Sequence, residues 1–290
     1  MIRSRSLFIL PILLLNNACL QKKAQTPGFP YDLSHPVNEY DLPHSLREIS
    51  GITFYSNHRL ACIQDEKGKI YIYSLKKGEV KESVDFGPDH DYEAIAQVND
   101  TFYVLHSTGT LFGVTGFDTD SQQTTRYDTF LKKENNTEGL CYDEMTHSLL
   151  IACKGVSHKK EKADIKEIYA FDLLTKDLSS KPVYRIKLDD LAKYMRDHQV
   201  EMPKTDNENA FFEPSEIAVH PQTNDIYILS SVGKMIIVMD REGNIRDVAL
   251  LDPAIAAHPE GMTFSKNGTL YISSEGKGSK KVILEYAPRK

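Results

Sequence analysis

The stretch Thr137-Glu138-Gly139-Leu140 is one copy of a short motif that occurs five times along the chain. In each copy a serine or glutamate stands two residues before an apolar residue, and these polar residues are Ser50, Glu93, Glu138, Ser215 and Glu260. Successive copies are 43, 45, 77 and 45 residues apart. A period near 45 residues with several short strands per unit is typical of a β-propeller. The repeat therefore predicts blades around a central axis, with the motif at the same point of each blade.

The residues after each motif copy have the pattern of short antiparallel strands. After the first copy, β-branched and aromatic runs begin near Ile49, Arg59, Lys69 and Val80, and turn residues separate them. The fifth unit ends after three strands, and residues 36–42 are available as its fourth. Pairing the two ends of the chain in one blade would remove an exposed sheet edge. We therefore predict an all-β, five-bladed β-propeller closed by an N-terminal strand.

The 77-residue step between the third and fourth copies indicates two insertions, at residues 155–166 and 189–212. Near the second, Leu188, Leu191 and Met195 are spaced as on one face of a helix. This spacing predicts one short helical insertion and not a sixth, degenerate blade. Both insertions project from the face where the innermost strands begin, so they form either a lid over that face or ordinary surface loops.

The first 36 residues have the features of an export signal followed by a linker. Arg3 and Arg5 precede an apolar run at residues 7–15 that is too short for a membrane-spanning helix, and Ala18 and Cys19 follow it. A small residue before such a cysteine resembles a bacterial lipoprotein signal. We therefore expect a signal peptide at 1–18, lipidation at Cys19, a polar linker at 19–36 and a propeller domain at 37–290. The alternative is an ordinary secretory signal in which Cys19 is incidental.

Composition narrows the range of partners. The 290 residues carry a formal net charge of −6 and have no stripe of Lys and Arg with interleaved aromatic residues. This pattern argues against a nucleic-acid partner. We expect a monomer that is held at the periplasm-facing membrane or the outer membrane by its lipid. Its other partner would be a small anionic ligand or a protein.

Three cysteines remain after Cys19, and an odd number does not form a disulfide framework. Cys141 and Cys153 lie on the two arms of one predicted hairpin, so a cross-strand disulfide is one interpretation. Buried free thiols that pack as small apolar side chains are the preferred one, for these two and for Cys62. No Cys or His spacing indicates a zinc site.

The motif acids predict a ring of carboxylates around the axis. Glu93, Glu138 and Glu260 begin the innermost strands of their blades, and repeats one and four carry Glu48 and Glu213 two residues before the serine. Residues i and i−2 share a strand face, so all five repeats can aim an acid the same way. Converging carboxylates repel one another unless a cation joins them or some are protonated. Hard oxygen ligands without clustered His or Cys suit Ca²⁺, although the same acids could instead cap loops.

Other polar residues lie close to this ring. Asp89 and Asp91 precede Glu93 and could add ligands, whereas His90 and His258 are more typical of packing or surface positions. A second ring follows the second strand of each blade and consists of Asp65, Ser107, Lys154, Ser231 and Glu275. Its single lysine can pair with the acids, bind an anionic substrate or remain solvated. No Gly-x-Ser-x-Gly motif indicates a nucleophile.

Taken in phase, the five motif copies resemble the SdiA-regulated family, whose members are similar to NHL-repeat propellers. The resemblance covers residues 37–290 and rests on Glu48-Ile49-Ser50-Gly51-Ile52, Asp91-Tyr92-Glu93-Ala94-Ile95, Thr137-Glu138-Gly139-Leu140, Pro214-Ser215-Glu216-Ile217-Ala218 and Pro259-Glu260-Gly261-Met262. It implies an exported, membrane-tethered, five-bladed propeller with a calcium site and no established catalytic activity. The implied calcium ligands are first Glu93, Glu138 and Glu260.

Three functions are compatible with these features. The first is a lipid-anchored propeller that binds Ca²⁺ at its axis and recognises a ligand or protein. The second, by analogy with related propellers, is a calcium-dependent hydrolase of phosphoesters or lactones. The third is a scaffold in which the acids are purely structural. A coordination position open to solvent beside a spare carboxylate would distinguish the second function from the first.

Overall fold

The computed structural model describes residues 24–156, 164–205, 211–276, 278 and 280–289. These residues form five four-stranded antiparallel sheets, as predicted. The expected signal peptide at 1–18 and Cys19 lie outside the described residues. Within the described ranges, no helix has the length and apolar character needed to cross a bilayer.

The fifth blade contains both ends of the chain. Strand β1 (Asn38–Asp41) is its outermost strand and pairs antiparallel with the last strand, from Asn38 opposite Glu285 to Asp41 opposite Val282. The prediction of closure by an N-terminal strand is confirmed. Backbone hydrogen bonds between the two ends of the chain thus close the ring, and β1 covers the edge that β20 would otherwise expose.

The first three blades follow the motif copies in order, and each is numbered from the axis outward. Blade 1 consists of β2 (Ile49–Ser56), β3 (Arg59–Gln64), β4 (Lys69–Ser74) and β5 (Glu79–Asp85). Blade 2 consists of β6 (Tyr92–Val98), β7 (Thr101–His106), β8 (Leu111–Thr115) and β9 (Gln123–Tyr127). Blade 3 consists of β10 (Thr137–Asp143), β11 (Ser148–Cys153), β12 (Ile165–Asp172) and β13 (Tyr184–Lys187).

Along the chain, helix α1 (Leu188–Asp197) follows blade 3 and precedes the last two blades. Blade 4 consists of β14 (Pro214–Val219), β15 (Ile226–Ser230), β16 (Met235–Met239) and β17 (Ile245–Leu250). Blade 5 adds β18 (Pro259–Phe264), β19 (Leu270–Ser274) and β20 (Val282–Tyr286) to β1. Short 3-10 turns at His44–Leu46 and Lys133–Asn135 precede blades 1 and 3.

The core is divided into five apolar clusters, one between each pair of neighbouring blades. Between blades 1 and 2, for example, Ile63 and Ile72 pack with Phe102 and Val104. The innermost strands of neighbouring blades also approach closely. A Cβ atom on Gly51 would lie 2.7 Å from the Cα atom of Ala94, so only glycine fits there without a shift of the backbone.

Part of the expected linker is folded against the propeller. Phe29, Tyr31 and Leu33 are fully buried in the cluster between blades 4 and 5. The Tyr31 hydroxyl donates to the carbonyl of Gly268 at 2.7 Å. The linker expected at 19–36 is therefore packed against the propeller in its described part, residues 24–36. The alternating apolar side chains fill a groove that exists only once the two blades have formed.

Helix α1 confirms the predicted helical insertion. Its buried residues Leu188, Leu191 and Met195 pack with the cluster between blades 3 and 4. The helix contacts the outermost strands β13 and β17 and so lies at the periphery of the ring. In this part of the insertion the structure shows no lid over the axis. Residues 157–163 and 206–210 of the two insertions lie outside the described residues.

The three cysteines of the propeller are buried free thiols. In the ladder between β10 and β11, Cys141 is opposite Leu150 and Cys153 is opposite Thr137. The two sulfur-bearing residues are therefore not cross-strand neighbours, and the disulfide interpretation is wrong.

Candidate functional site

A β-bulge lies at the start of every innermost strand. In all five blades the pairing between the first and second strands shifts by one residue at the motif position, which leaves one residue unpaired. The unpaired residues are Ser50, Glu93, Glu138, Ser215 and Glu260. A bulge re-aims the side chain of its extra residue, which explains how a glutamate at the start of a buried strand can face the axis. The five motif positions are thus structurally equivalent, as the repeat predicted.

The bulges surround a cavity of about 180 Å³ at one end of the central channel. We call it the axial pocket, and its lining residues are Glu48, Ile49, Ser50, Asp65, Asp91, Glu93, Glu138, Lys154, Ser215, Glu260 and Glu275. Seven of these side chains are carboxylic acids, one is a lysine and one is apolar. A separate cavity of about 410 Å³ at the other end of the channel shares no lining residue with the axial pocket.

Four of the five predicted ligands, Glu48, Glu93, Glu138 and Glu260, line the axial pocket. Glu213 does not line it, and its carboxylate instead lies 3.8 Å from Nζ of the buried Lys166. The bulge is common to both blades, and Glu48 at the equivalent position of blade 1 does line the pocket. The difference lies in the partner, since Glu213 pairs with Lys166 of blade 3 whereas Glu48 pairs with its neighbour Arg47. Of the two further candidates, Asp91 lines the pocket, whereas Asp89 pairs with Nζ of Lys67 at 2.6 Å.

Sequence reasoning missed one acid near the axis, Glu216. It follows the bulge of blade 4, where the other blades carry Gly51, Ala94, Gly139 and Gly261. Its Oε1 atom accepts hydrogen bonds from the backbone N–H groups of Leu140 at 2.9 Å and Ile217 at 3.0 Å, which joins blades 3 and 4. Its Oε2 atom is buried with no hydrogen-bond partner among the described residues. The available signal was that Ser215-Glu216 carries its acid one residue later than the Glu-Gly of blades 3 and 5.

Hydrogen bonds hold two of the bulge acids in place. Oε1 of Glu138 accepts from Nδ2 of Asn136 at 2.7 Å and lies 3.2 Å from Nζ of Lys154. Oε1 of Glu260 accepts from the hydroxyl of Ser231 at 3.1 Å. Both acids therefore have one oxygen engaged by the protein.

The two bulge serines have a different role. The hydroxyl of Ser50 donates to the carbonyl of Tyr92 at 2.8 Å, and that of Ser215 lies 3.4 Å from the carbonyl of Pro259. Each acceptor immediately precedes the bulge of the next blade. Serine at the bulge thus connects neighbouring blades instead of adding charge to the pocket.

Burial and mutual repulsion raise the pKa values of the pocket acids. Burial, reinforced by the charges of Glu138 and Asp91, raises the pKa of Glu93 to about 9. Burial and Glu138 likewise raise the pKa of Glu260 to about 7. Burial alone would lower the pKa of Lys154, but the nearby Glu138 and Glu260 raise it, so its ammonium stays charged. Burial holds the pKa of Glu216 well above its ordinary value, which favours the neutral carboxyl.

The fit of the axial pocket to Ca²⁺ follows from its donor atoms. The lining provides hard oxygen atoms, which Ca²⁺ takes six to eight at a time, and no His or Cys. In the described residues, however, no group of three or more His, Cys, Asp or Glu side chains is close enough to hold a metal ion. The ammonium of Lys154 stands among the acids instead. The residues thus fit Ca²⁺ in chemistry, and their carboxylates would have to draw closer to hold it.

The geometry defines a class of protein: a five-bladed β-propeller with an acidic pocket at one end of its axis. The chain belongs to the SdiA-regulated family, whose family model matches residues 33–277. The resemblance seen in the motifs is thereby confirmed. A search of the curated proteins finds no match.

Solved structures share the fold at low sequence identity. Glutaminyl cyclase from Myxococcus xanthus is 14% identical with a TM-score of 0.56, and the match covers 88% of this chain and 96% of the cyclase. A protein of unknown function from Bacteroides thetaiotaomicron is also 14% identical, with a TM-score of 0.54 and coverage of 91% and 64%. A chain of a nidogen–laminin complex is 12% identical, with a TM-score of 0.52 and coverage of 83% and 86%. At these identities the likeness concerns the fold alone.

Proposed function

We propose that this protein is an exported, lipid-anchored binding module whose axial pocket binds Ca²⁺ and, with it, an extracytoplasmic ligand or protein. One observation carries the proposal: seven carboxylic acids line a cavity of about 180 Å³ that contains a single lysine. Such a concentration of acids is costly unless cations neutralise it or protons remain bound.

The lining favours an inorganic cation over an organic amine. Ile49 is the one apolar residue among the lining side chains, and no aromatic side chain contributes to the lining. Pockets for organic ligands are mostly apolar, with a few polar groups that fix orientation. A pocket made almost wholly of charged and polar groups therefore suits a metal ion.

The bulge acids Glu93, Glu138 and Glu260 would hold the ion, with Glu48 and Asp91 as further oxygen donors. A bound Ca²⁺ would supply positive charge that can also attract an anionic group of a ligand. The protein's own part is to place the carboxylates on bulges of rigid inner strands.

Calorimetric titration of Ca²⁺ tests the metal site. The full chain, purified in detergent and stripped of divalent ions with a chelator, is expected to bind about one ion per chain and to gain thermal stability on binding. The triple variant Glu93→Gln, Glu138→Gln, Glu260→Gln is expected to lose this binding. Glu144→Gln, which removes an acid at the other end of the channel, is the matched control and should bind normally. Absence of binding up to millimolar Ca²⁺ in the native chain would overturn the proposal.

Fractionation of cells tests the anchor. Cys19→Ala is expected to move the protein from the membrane fraction to the soluble fraction. Cys62→Ala, at a buried thiol of the propeller, is the control and should leave the distribution unchanged. Retention of the Cys19→Ala variant in the membrane fraction would contradict lipid anchoring at this residue.

A further inference from the structure

Lys154 occupies a position that four other residues share. In each blade one residue directly follows the second strand, and these residues are Asp65, Ser107, Lys154, Ser231 and Glu275. The backbone N–H of Lys154 donates to the carbonyl of Asn136 at 2.9 Å, and the equivalent bond joins Asp65 to Glu48 at 3.2 Å and Glu275 to His258 at 2.9 Å. The backbone of Lys154 thus has the same position in its blade as the backbones of Asp65 and Glu275 have in theirs.

Two further contacts determine where the Lys154 side chain points. Its carbonyl accepts from Nζ of the buried Lys166 at 2.7 Å, which fixes the backbone from the outer side. Its own Nζ lies 3.2 Å from Oε1 of Glu138, inside the axial pocket. The side chain is largely buried, at 28% exposure, so the ammonium has exchanged much of its water for carboxylate oxygen.

The lysine supplies the charge that a metal ion would otherwise supply. Among the residues that line the axial pocket, it is the one basic side chain against seven acids. It also pairs with Glu138, one of the three bulge acids. A divalent ion held by these acids would lie beside the ammonium, and two like charges in a poorly solvated pocket repel strongly.

We infer that Lys154 is a tethered cation that competes with Ca²⁺ for the carboxylates of the axial pocket and thereby sets the affinity of the site. The inference rests on the proposed function, because it concerns the same pocket. Binding of Ca²⁺ then requires Nζ of Lys154 to leave Glu138. The lysine keeps the empty site folded and restricts occupancy to conditions in which the ion is abundant.

Substitution of the lysine tests the inference. Lys154→Met keeps the length of the side chain and removes its charge, and we expect it to bind Ca²⁺ about tenfold more tightly or better, since one opposing charge is gone. Without Ca²⁺ the same variant is expected to melt at a lower temperature than the native chain. Lys67→Met is the matched control, because Lys67 pairs with an acid on the same face but does not line the pocket. It should bind Ca²⁺ with native affinity.

The outcomes separate the two proposals. If the native chain binds Ca²⁺ and Lys154→Met binds no more tightly, the inference is wrong and the proposed function stands. If Lys154→Met alone binds, competition by the lysine is supported and the native chain is not a calcium protein. If neither binds, both proposals are overturned.

A measurement on the native chain remains decisive if Lys154→Met does not fold. Amine acetylation followed by peptide mass spectrometry reports how accessible each lysine is. The rate at Lys154 is expected to rise when Ca²⁺ is added, while the rate at Lys67 stays constant. An unchanged or lower rate at Lys154 under saturating Ca²⁺ would overturn the inference.

Discussion

Blades 2, 3 and 5 differ from blades 1 and 4 at one equivalent position, the bulge that begins the innermost strand. The first group has glutamate there, and its side chains line the axial pocket. The second group has Ser50 and Ser215, whose hydroxyls face the backbone of the next blade. One backbone feature therefore serves two purposes, since the bulge delivers either charge to the pocket or a connection between blades.

The residue after the bulge shows a related division. Gly51, Gly139 and Gly261 allow the neighbouring inner strand to approach, whereas Glu216 extends its side chain to the previous blade. Blade 4 thus bonds to both neighbours, through Ser215 on one side and Glu216 on the other. The inner strands that carry the pocket acids are therefore joined by different contacts at different blade boundaries.

Among single substitutions, the largest effect on stability is expected at Glu216, whose side chain joins blades 3 and 4. Glu216→Ala leaves the N–H groups of Leu140 and Ile217 without their acceptor and should lower the free energy of unfolding by about 2–3 kcal/mol. Glu216→Gln keeps an acceptor oxygen for these N–H groups, so it should lie within about 1 kcal/mol of the native chain. Chemical denaturation at pH 7 measures both. Equal losses would mean that the charge of Glu216 matters and not its acceptor oxygen.

A methyl group at Gly51 tests the close approach of blades 1 and 2. Gly51→Ala places a Cβ atom 2.7 Å from the Cα atom of Ala94, and the backbone shift that follows should cost about 2 kcal/mol. Gly87→Ala is the control, since its Cβ atom would meet only the Tyr92 hydroxyl, at 3.4 Å. Thermal melting compares the two variants. Similar melting temperatures for both would show that the inner strands can separate freely.

The stability of the metal-free protein is expected to fall as pH rises. In the folded state the pKa of Glu93 is raised from 4.5 to about 9 and that of Glu260 from 4.5 to about 7. For each group, the folded chain therefore binds more protons than the unfolded chain at any pH between its ordinary pKa and its folded-state pKa. As pH increases through its window, each group lowers the free energy of unfolding by at most about 1.4 kcal/mol per pH unit. Melting curves from pH 5 to 9 in the presence of chelator measure the trend. Glu93→Gln should make the melting temperature less dependent on pH above pH 7, whereas the control Glu144→Gln should keep the native dependence. The same pH dependence in both variants would contradict the raised pKa of Glu93.

The smallest effects are expected at the bulge serines. Ser50→Ala removes a bond of 2.8 Å and should cost about 1 kcal/mol, whereas the contacts of Ser215 at 3.4 and 3.5 Å are weaker, and Ser215→Ala should cost less. Both variants should bind Ca²⁺ with native affinity, as determined by the same calorimetric titration. A loss of Ca²⁺ binding in Ser50→Ala would show that this serine contributes to the metal site and does not only connect neighbouring blades.

Much of the fold was predictable because its signals are local. The period of 45 residues and the β-branched and aromatic runs such as Lys69–Ser74 require no knowledge of distant contacts. The equivalence of the five motif positions was predictable for the same reason. The packing of residues 24–36 is not predictable in the same way, because proline and polar residues mask the alternation of Phe29, Tyr31 and Leu33. Their groove is formed by residues more than 180 positions away.

The site was predictable only in part. Glu93, Glu138 and Glu260 follow from the repeat, because bulges recur in phase with the motif. Glu213 pairs with Lys166 of blade 3 and not with the axis, a contact that the repeat does not specify. The role of Glu216 likewise depends on its hydrogen bonds to the backbone of Leu140 and Ile217. The second ring predicts Lys154 near the acids and leaves open whether it pairs with them, whereas the structure identifies Glu138 as its partner.

If Cys19 carries the proposed lipid, the buried segment at residues 24–36 would also determine the orientation of the molecule on the membrane. The carbonyl of Ala24 accepts from the N–H of Leu250, at the end of β17 that lies on the face of the axial pocket. A chain extends at most about 3.5 Å per residue, so a lipid on Cys19 would hold this rim within about 17 Å of the bilayer. The acidic mouth would then open into a thin layer of water beside the headgroups. Ions and ligands would reach it sideways through that layer, where the composition of the lipid surface, and not that of the bulk solution, sets their concentration.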